Sequence, residues 1–171
     1  RLYFYAGQSF IKLYHTFIQD NPAQSIDLRR LQFKLYPKLG YPVTGALGSR
    51  SAHSPHGFQF AKLNKPVTLH QQMVGHHLLD DGDITVYDGN AHGWSCLWGT
   101  QAAVTTKLRK PWQNYPKSFS VGPQELAVDL YPDGLEAHAE SSHSGVADVG
   151  PLRLPQGMAK THELFLHIGA P

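Results

Sequence analysis

A single cysteine, Cys96, occurs in the 171 residues, so no disulfide can close within the chain and cysteine usage does not decide the redox compartment. No Lys/Arg run is long enough to make a nucleic-acid patch, and no apolar run approaches the roughly 20 residues needed to cross a bilayer as a helix. Charged residues are scarce at 16%, where helical bundles usually carry more Glu and Lys. No glycine-rich phosphate loop precedes a helical stretch, and Gly7-Gln8-Ser9-Phe10 lacks the closing glycine of a nucleophile elbow. The pair His162-Glu163 would open a zinc-protease motif only with a second histidine at position 166, which is Leu166; His167 comes one place too late. These absences remove serine hydrolase, nucleotide-binding and zinc-protease readings. There is also no initiator methionine and no signal-peptide pattern, which leads to the expectation that the chain is a processed piece of something longer.

What the chain does have is Gly (16), Pro (12) and aromatics (11%), a balance of β-rich proteins with many tight turns. Alternation at period two runs through Leu31-Phe33-Leu35, Phe58-Phe60, Val67-Leu69, Ile84-Val86, Trp94-Cys96-Trp98, Ala102-Val104, Leu126-Val128-Leu130 and Leu164-Leu166-Ile168. Asp81-Gly82-Asp83, Asp88-Gly89-Asn90 and Pro132-Asp133-Gly134 punctuate it with strong turn chemistry. The expectation is an all-β fold: one antiparallel β-sandwich domain over residues 1–171, with long loops and little helix. Tyr41 to His56 and Ala139 to Gln156 read as the long loops, the first carrying Arg50, His53 and His56 within reach of a ligand or simply exposed to solvent. Cys96, between Trp94 and Trp98, reads as a small core residue. His76 and His77 point to opposite faces of an extended chain, so adjacency alone makes no chelate. With 11 histidines the chain becomes clearly cationic below about pH 6.

Two segments carry more chemistry than packing needs. Pro111-Trp112-Gln113-Asn114-Tyr115-Pro116-Lys117 sets two aromatic rings and an amide beside a cation in a proline-bounded loop. From Gly157 to Ile168 an extended chain puts Met158, Lys160, His162, Leu164, Leu166 and Ile168 on one face, apolar in its far half and cationic in its near half. Such a face belongs to a strand leaving the core for a cleft or an interface. The plainer alternatives are that Lys160 snorkels to solvent, that His162 bonds a neighbouring backbone group, and that Trp112 covers the core edge.

Taken with Phe4-Tyr5-Ala6-Gly7-Gln8-Ser9-Phe10 and His15-Thr16-Phe17, the two segments resemble, in order along essentially the whole chain, the exo-acting rhamnogalacturonan lyases of polysaccharide lyase family 26 and their bacterial relatives. The resemblance implies that the chain is the β-sandwich portion of a larger multidomain enzyme, secreted or periplasmic, whose α/α-barrel domain would be its partner. It also implies a uronic-acid-containing polysaccharide as substrate and β-elimination at a galacturonate joined to rhamnose. The isolated domain is then expected to be inactive, marginally stable or self-associating.

By residue chemistry, Lys117 or Lys160 would neutralise the uronate carboxylate, His162 would be the base and Tyr115 the acid. Trp112 would stack on a sugar ring, and Gln113, Arg50 and Glu163 would complete the substrate contacts. No metal, cofactor, nucleic acid or membrane is expected to take part. Two alternatives stay open: a non-catalytic carbohydrate-binding or interdomain sandwich, and an unrelated structural or adhesion sandwich.

Overall fold

Alternation along the chain is realised as antiparallel strands throughout a computed structural model that describes residues 1–21, 25–133 and 151–171. In chain order they are β1 (Leu2–Phe4), β2 (Phe10–Ile18), β3 (Ile26–Leu28), β4 (Leu31–Leu35), β5 (Thr44–Ser49), β6 (Phe58–Phe60), β7 (Val67–Met73) and β8 (His76–Asp80). They continue with β9 (Ile84–Asp88), β10 (Ala91–Trp98), β11 (Ala103–Leu108), β12 (Lys117–Val121), β13 (Leu126–Tyr131), β14 (Leu152–Leu154) and β15 (Ala159–Gly169). The helical content of the described residues is one 3-10 turn, Trp112–Asn114.

A seven-stranded sheet runs β1-β2-β15-β11-β10-β5-β6, and a six-stranded sheet runs β4-β13-β12-β7-β8-β9; β14 and β3 pair separately. The inner faces of the two larger sheets meet in one core. From the six-stranded sheet come Val67 and Leu69, Phe119 and Val121, Leu126 and Val128; from the seven-stranded sheet come Leu47, Leu97, Val104, Leu108 and Leu164. Each such leucine withdrawn from water contributes roughly 2 kcal/mol before entropy is counted, so the period-two pattern decides which face turns inward. The fold is thus the expected all-β, antiparallel sandwich.

Three expectations are corrected. The stretch from Tyr41 to His56 is not one loop: it contains β5, a strand deep in the seven-stranded sheet with Gly45 to Ser49 all buried. Its small residues, which look like loop composition, are a packing requirement. A Cβ on Gly48 would stand 2.5 Å from the indole Nε1 of Trp94, and one on Gly45 would meet Leu63 at 2.6 Å and Val121 at 2.9 Å. The segment from Ala139 to Gln156 likewise contains β14, while its residues 139–150 lie outside the described part. Finally, the inward face of β10 is Ser95 and Leu97; Trp94, Cys96 and Trp98 form the half-buried outer face. The Cys96 thiol there accepts a hydrogen bond from Thr105 Oγ1 at 2.9 Å, and burial pushes its pKa up, away from thiolate reactivity.

The close approach at Gly48 predicts that Gly48→Val will displace the Trp94 ring and cost about 1–3 kcal/mol of stability. Gln59→Ser, at an exposed position opposite Ala46, should stay within about 0.5 kcal/mol. Urea unfolding followed by tryptophan fluorescence measures both, and equal stability of the two variants would show that β5 tolerates a side chain there.

Candidate functional site

On β12, Lys117 shares the inward face with Phe119 and Val121, because side chains two residues apart in a strand point the same way. On β15, Lys160 and His162 share it with Leu164. His15 and Phe17 lie on the same face of β2, directly across from His162 and Lys160 in the antiparallel register. The apolar core therefore ends at Phe119 and Leu164, and its next layer is cationic and aromatic. The His162 ring lies 6.3 Å from that of His15 and 6.2 Å from that of Phe17.

This layer is short of partners. Lys117 is 1% exposed, and its Nζ donates to the carbonyl of Pro116 at 2.8 Å. Its cross-strand neighbour Gln71 spends its amide elsewhere, bonding Met73, His76, Asn90 and Ala91. Among the described residues neither ring nitrogen of His162, nor Nδ1 of His15, has a hydrogen-bond partner, and neither Lys117 nor Lys160 has an ion-pair partner.

Electrostatics follow from that poverty. Burial, with the charge of Lys160 added, pushes the Lys117 amine down to about 7. Burial likewise lowers Lys160. His162 is driven down to about 3, first by burial and then by Lys117, Lys160 and His15, so its imidazole is neutral at ordinary pH. Near pH 7 the layer thus holds an amine poised between its charged and neutral forms, beside a neutral imidazole. An anion arriving there would relieve both the repulsion and the unmet hydrogen bonding.

The other predicted site residues gather elsewhere. Gly93 sits in a bulge of β10 with φ +77°, and a Cβ on it would stand 2.5 Å from the Pro111 ring. Pro111 packs on this bare backbone, which seats the turn carrying Trp112 and Gln113 on the outer face of the seven-stranded sheet. There Arg50, His92, Lys107, Lys110, Trp112 and Phe165 line a groove of about 250 Å³, together with Gln113 and Arg109. Tyr115, 48% exposed, follows the turn and precedes the cis Tyr115-Pro116 bond; it is not among the groove's lining residues.

Glu163 follows His162 directly and so faces outward. It binds Lys12 at 2.6 Å and Arg109 at 2.7 Å, and hydrogen bonds led by that from Lys12 hold its carboxyl below the usual range. It ties β2 to β15 and the start of the Arg109–Pro116 connection, and it takes no part in the Lys117 layer. The predicted residues therefore divide: Lys117, Lys160 and His162 come together between the sheets, Arg50, Trp112 and Gln113 come together outside, and Glu163 and Tyr115 join neither group. His15 was missed as a site residue, although Leu13-His15-Phe17 alternates as openly as the strands that were identified. Lys107, His92 and Lys110 were missed because three separate segments bring them together. Among the described residues no three His, Cys, Asp or Glu side chains gather as a metal ligand set.

The depressed values make stability depend on pH in a definite direction. Unfolded, His162 takes up a proton below 6.5 while the folded ring holds out to about 3, so stability falls as pH drops through that window. Unfolded, Lys117 keeps its proton up to 10.5 while the folded amine releases it at about 7, so stability rises as pH climbs from 7 to 10.5, by on the order of 5 kcal/mol. Lys117→Met should be more stable than the native chain near neutrality and should lose the alkaline rise. Urea midpoints across the two windows measure this; an alkaline rise unchanged in Lys117→Met would mean that the amine is charged and solvated.

No family model matches this chain, and no curated protein matches it.

Proposed function

We propose that this chain is the β-sandwich portion of a polysaccharide lyase that cleaves rhamnogalacturonan-type pectin by β-elimination, and that it forms one wall of the substrate cleft. The observation that supports this reading is the layer of Lys117, Lys160, His162 and His15 at the end of the core, cationic and without a carboxylate partner among the described residues. β-Elimination next to a uronate asks for a positive charge to steady the carboxylate as the enolate forms, a base of moderate strength for the C5 proton, and a proton for the departing C4 oxygen, which the protonated base can return to it. Lys160, half-exposed at the rim, is the group that meets the carboxylate. The base is assigned to Lys117 in place of His162, which the sequence-based expectation had in that role. A histidine held near 3 is a weak base, whereas an amine near 7 exists in good part as free base at neutral pH, so Lys117 is the better proton acceptor. His162 then serves by its shape and its neutral nitrogens.

A second reading is favoured by one observation. Lys117 is almost fully buried and already bonded to Pro116, so the layer also suits a carboxylate of an adjoining domain, in a non-catalytic sandwich.

The complete polypeptide containing this chain separates the two. In the lyase reading, Lys117→Ala and Lys160→Ala each lower kcat by roughly a hundredfold or more, with Lys160→Arg recovering part of the loss. His162→Gln is expected to have the smaller effect. The assay is the absorbance of unsaturated uronate released from a rhamnogalacturonan oligosaccharide. Normal kcat in both alanine variants, with only thermal stability reduced, would overturn the lyase reading and leave the interdomain one.

A further inference from the structure

The outer groove lies on the opposite face of the seven-stranded sheet from the Lys117 layer. We propose that it is a separate, non-catalytic subsite for one acidic sugar ring, whose anionic group meets Arg50, Lys107 and Lys110 while Trp112 and Phe165 supply the apolar wall.

Four observations carry this. Three cations from three segments converge on one concavity: Arg50 after β5, Lys107 on β11 and Lys110 in the connection to β12. Among the described residues none of the three has an ion-pair partner, whereas the neighbouring Arg109 is neutralised by Glu163 at 2.7 Å. Among the described residues the buried Nε2 of His92 in the groove has no hydrogen-bond partner, and its pKa is lowered by burial and then by Arg50 and Lys107, which places both cations close to its ring. Finally, the connection is held in position by covered backbone at Gly93, so Trp112 is presented by a supported turn.

The occupant follows from size and lining. About 250 Å³ lies just below the usual range of ligand pockets and leaves room for no more than a single ring. A nucleic-acid duplex needs cations spread along a track, not drawn around one small concavity. An inorganic anion would use the cations and ignore the aromatic wall. A ring with polar edges, an apolar face and one carboxylate uses all of it.

The test is an NMR titration of this chain with trigalacturonate, following the Trp112 indole N–H, and it involves no catalysis. Binding here and lyase activity are therefore read separately, and either can fail while the other stands. The expected result is saturable binding weakened by salt, with Kd raised at least about tenfold in Lys107→Ala/Lys110→Ala and in Trp112→Ala. The two lysines are exposed, so their removal should leave the thermal midpoint unchanged. Lys117→Met, on the other side of the sheet, should leave Kd within about twofold. The proposal is overturned if the fully methyl-esterified trisaccharide binds equally well, if inorganic sulfate reproduces the shifts at the same concentration, or if a short DNA duplex binds more tightly through the same lysines. It is also overturned if trigalacturonate leaves the Trp112 signal unmoved.

Discussion

Side chains two apart on a strand must share a face, and in this molecule that rule carries the core past its apolar end. β12 cannot turn Phe119 and Val121 inward without turning Lys117 inward as well, and β15 cannot bury Leu164 without drawing in His162. The cost is a buried amine and an imidazole whose two nitrogens find no hydrogen-bond partner among the described residues. A purely structural sandwich would be more stable with methionine or leucine at both places. Buried polar groups short of partners cluster at functional sites more often than elsewhere, and this layer reaches solvent at the half-exposed Lys160.

The opposite arrangement holds on the outer face. There the cations are exposed and costless to the fold, and what is constrained is the backbone that presents the aromatic ring. Gly93 bends β10, Pro111 occupies the space a side chain would have filled, and Trp112 follows one residue later. Gly48 gives Trp94 room by the same device on the neighbouring strand. Glu163 separates the two regions chemically: it satisfies Lys12 and Arg109 and so leaves the unneutralised charge of the groove to Arg50, Lys107 and Lys110.

Alternation makes most of the sandwich legible in the sequence, because strands such as Leu31–Leu35 and Leu126–Tyr131 set large apolar residues against polar or small ones at every second place. It failed on β5 for a physical reason: a strand covered on both faces and crowded by Trp94, Leu63 and Val121 is built of Gly, Ala and Ser, the composition of a loop. It mistook the outward face of β10 for the core face because Trp94 and Trp98 are larger than Ser95 and Leu97, although Ser95 and Leu97 are the two that are fully enclosed. At the site, the shared face of Lys160 and His162 was readable from spacing. That Lys117 approaches them from the other sheet, and that Arg50 meets Lys107, depend on pairings between distant segments that no local pattern contains.

Sheet order has a consequence for how the molecule assembles. β2 lies between β1 and β15, so residues 10–18 reach the body of their sheet only through residues 159–167. Until the last strand is in place, the first two have no neighbour but each other, and a lone hairpin is at best marginal in water. Closing so long a loop costs more chain entropy than closing the short β10–β11 hairpin. On this topology a chain in which residues 159–169 have not yet docked leaves an unpaired edge at β11, the place where premature association with another chain would begin.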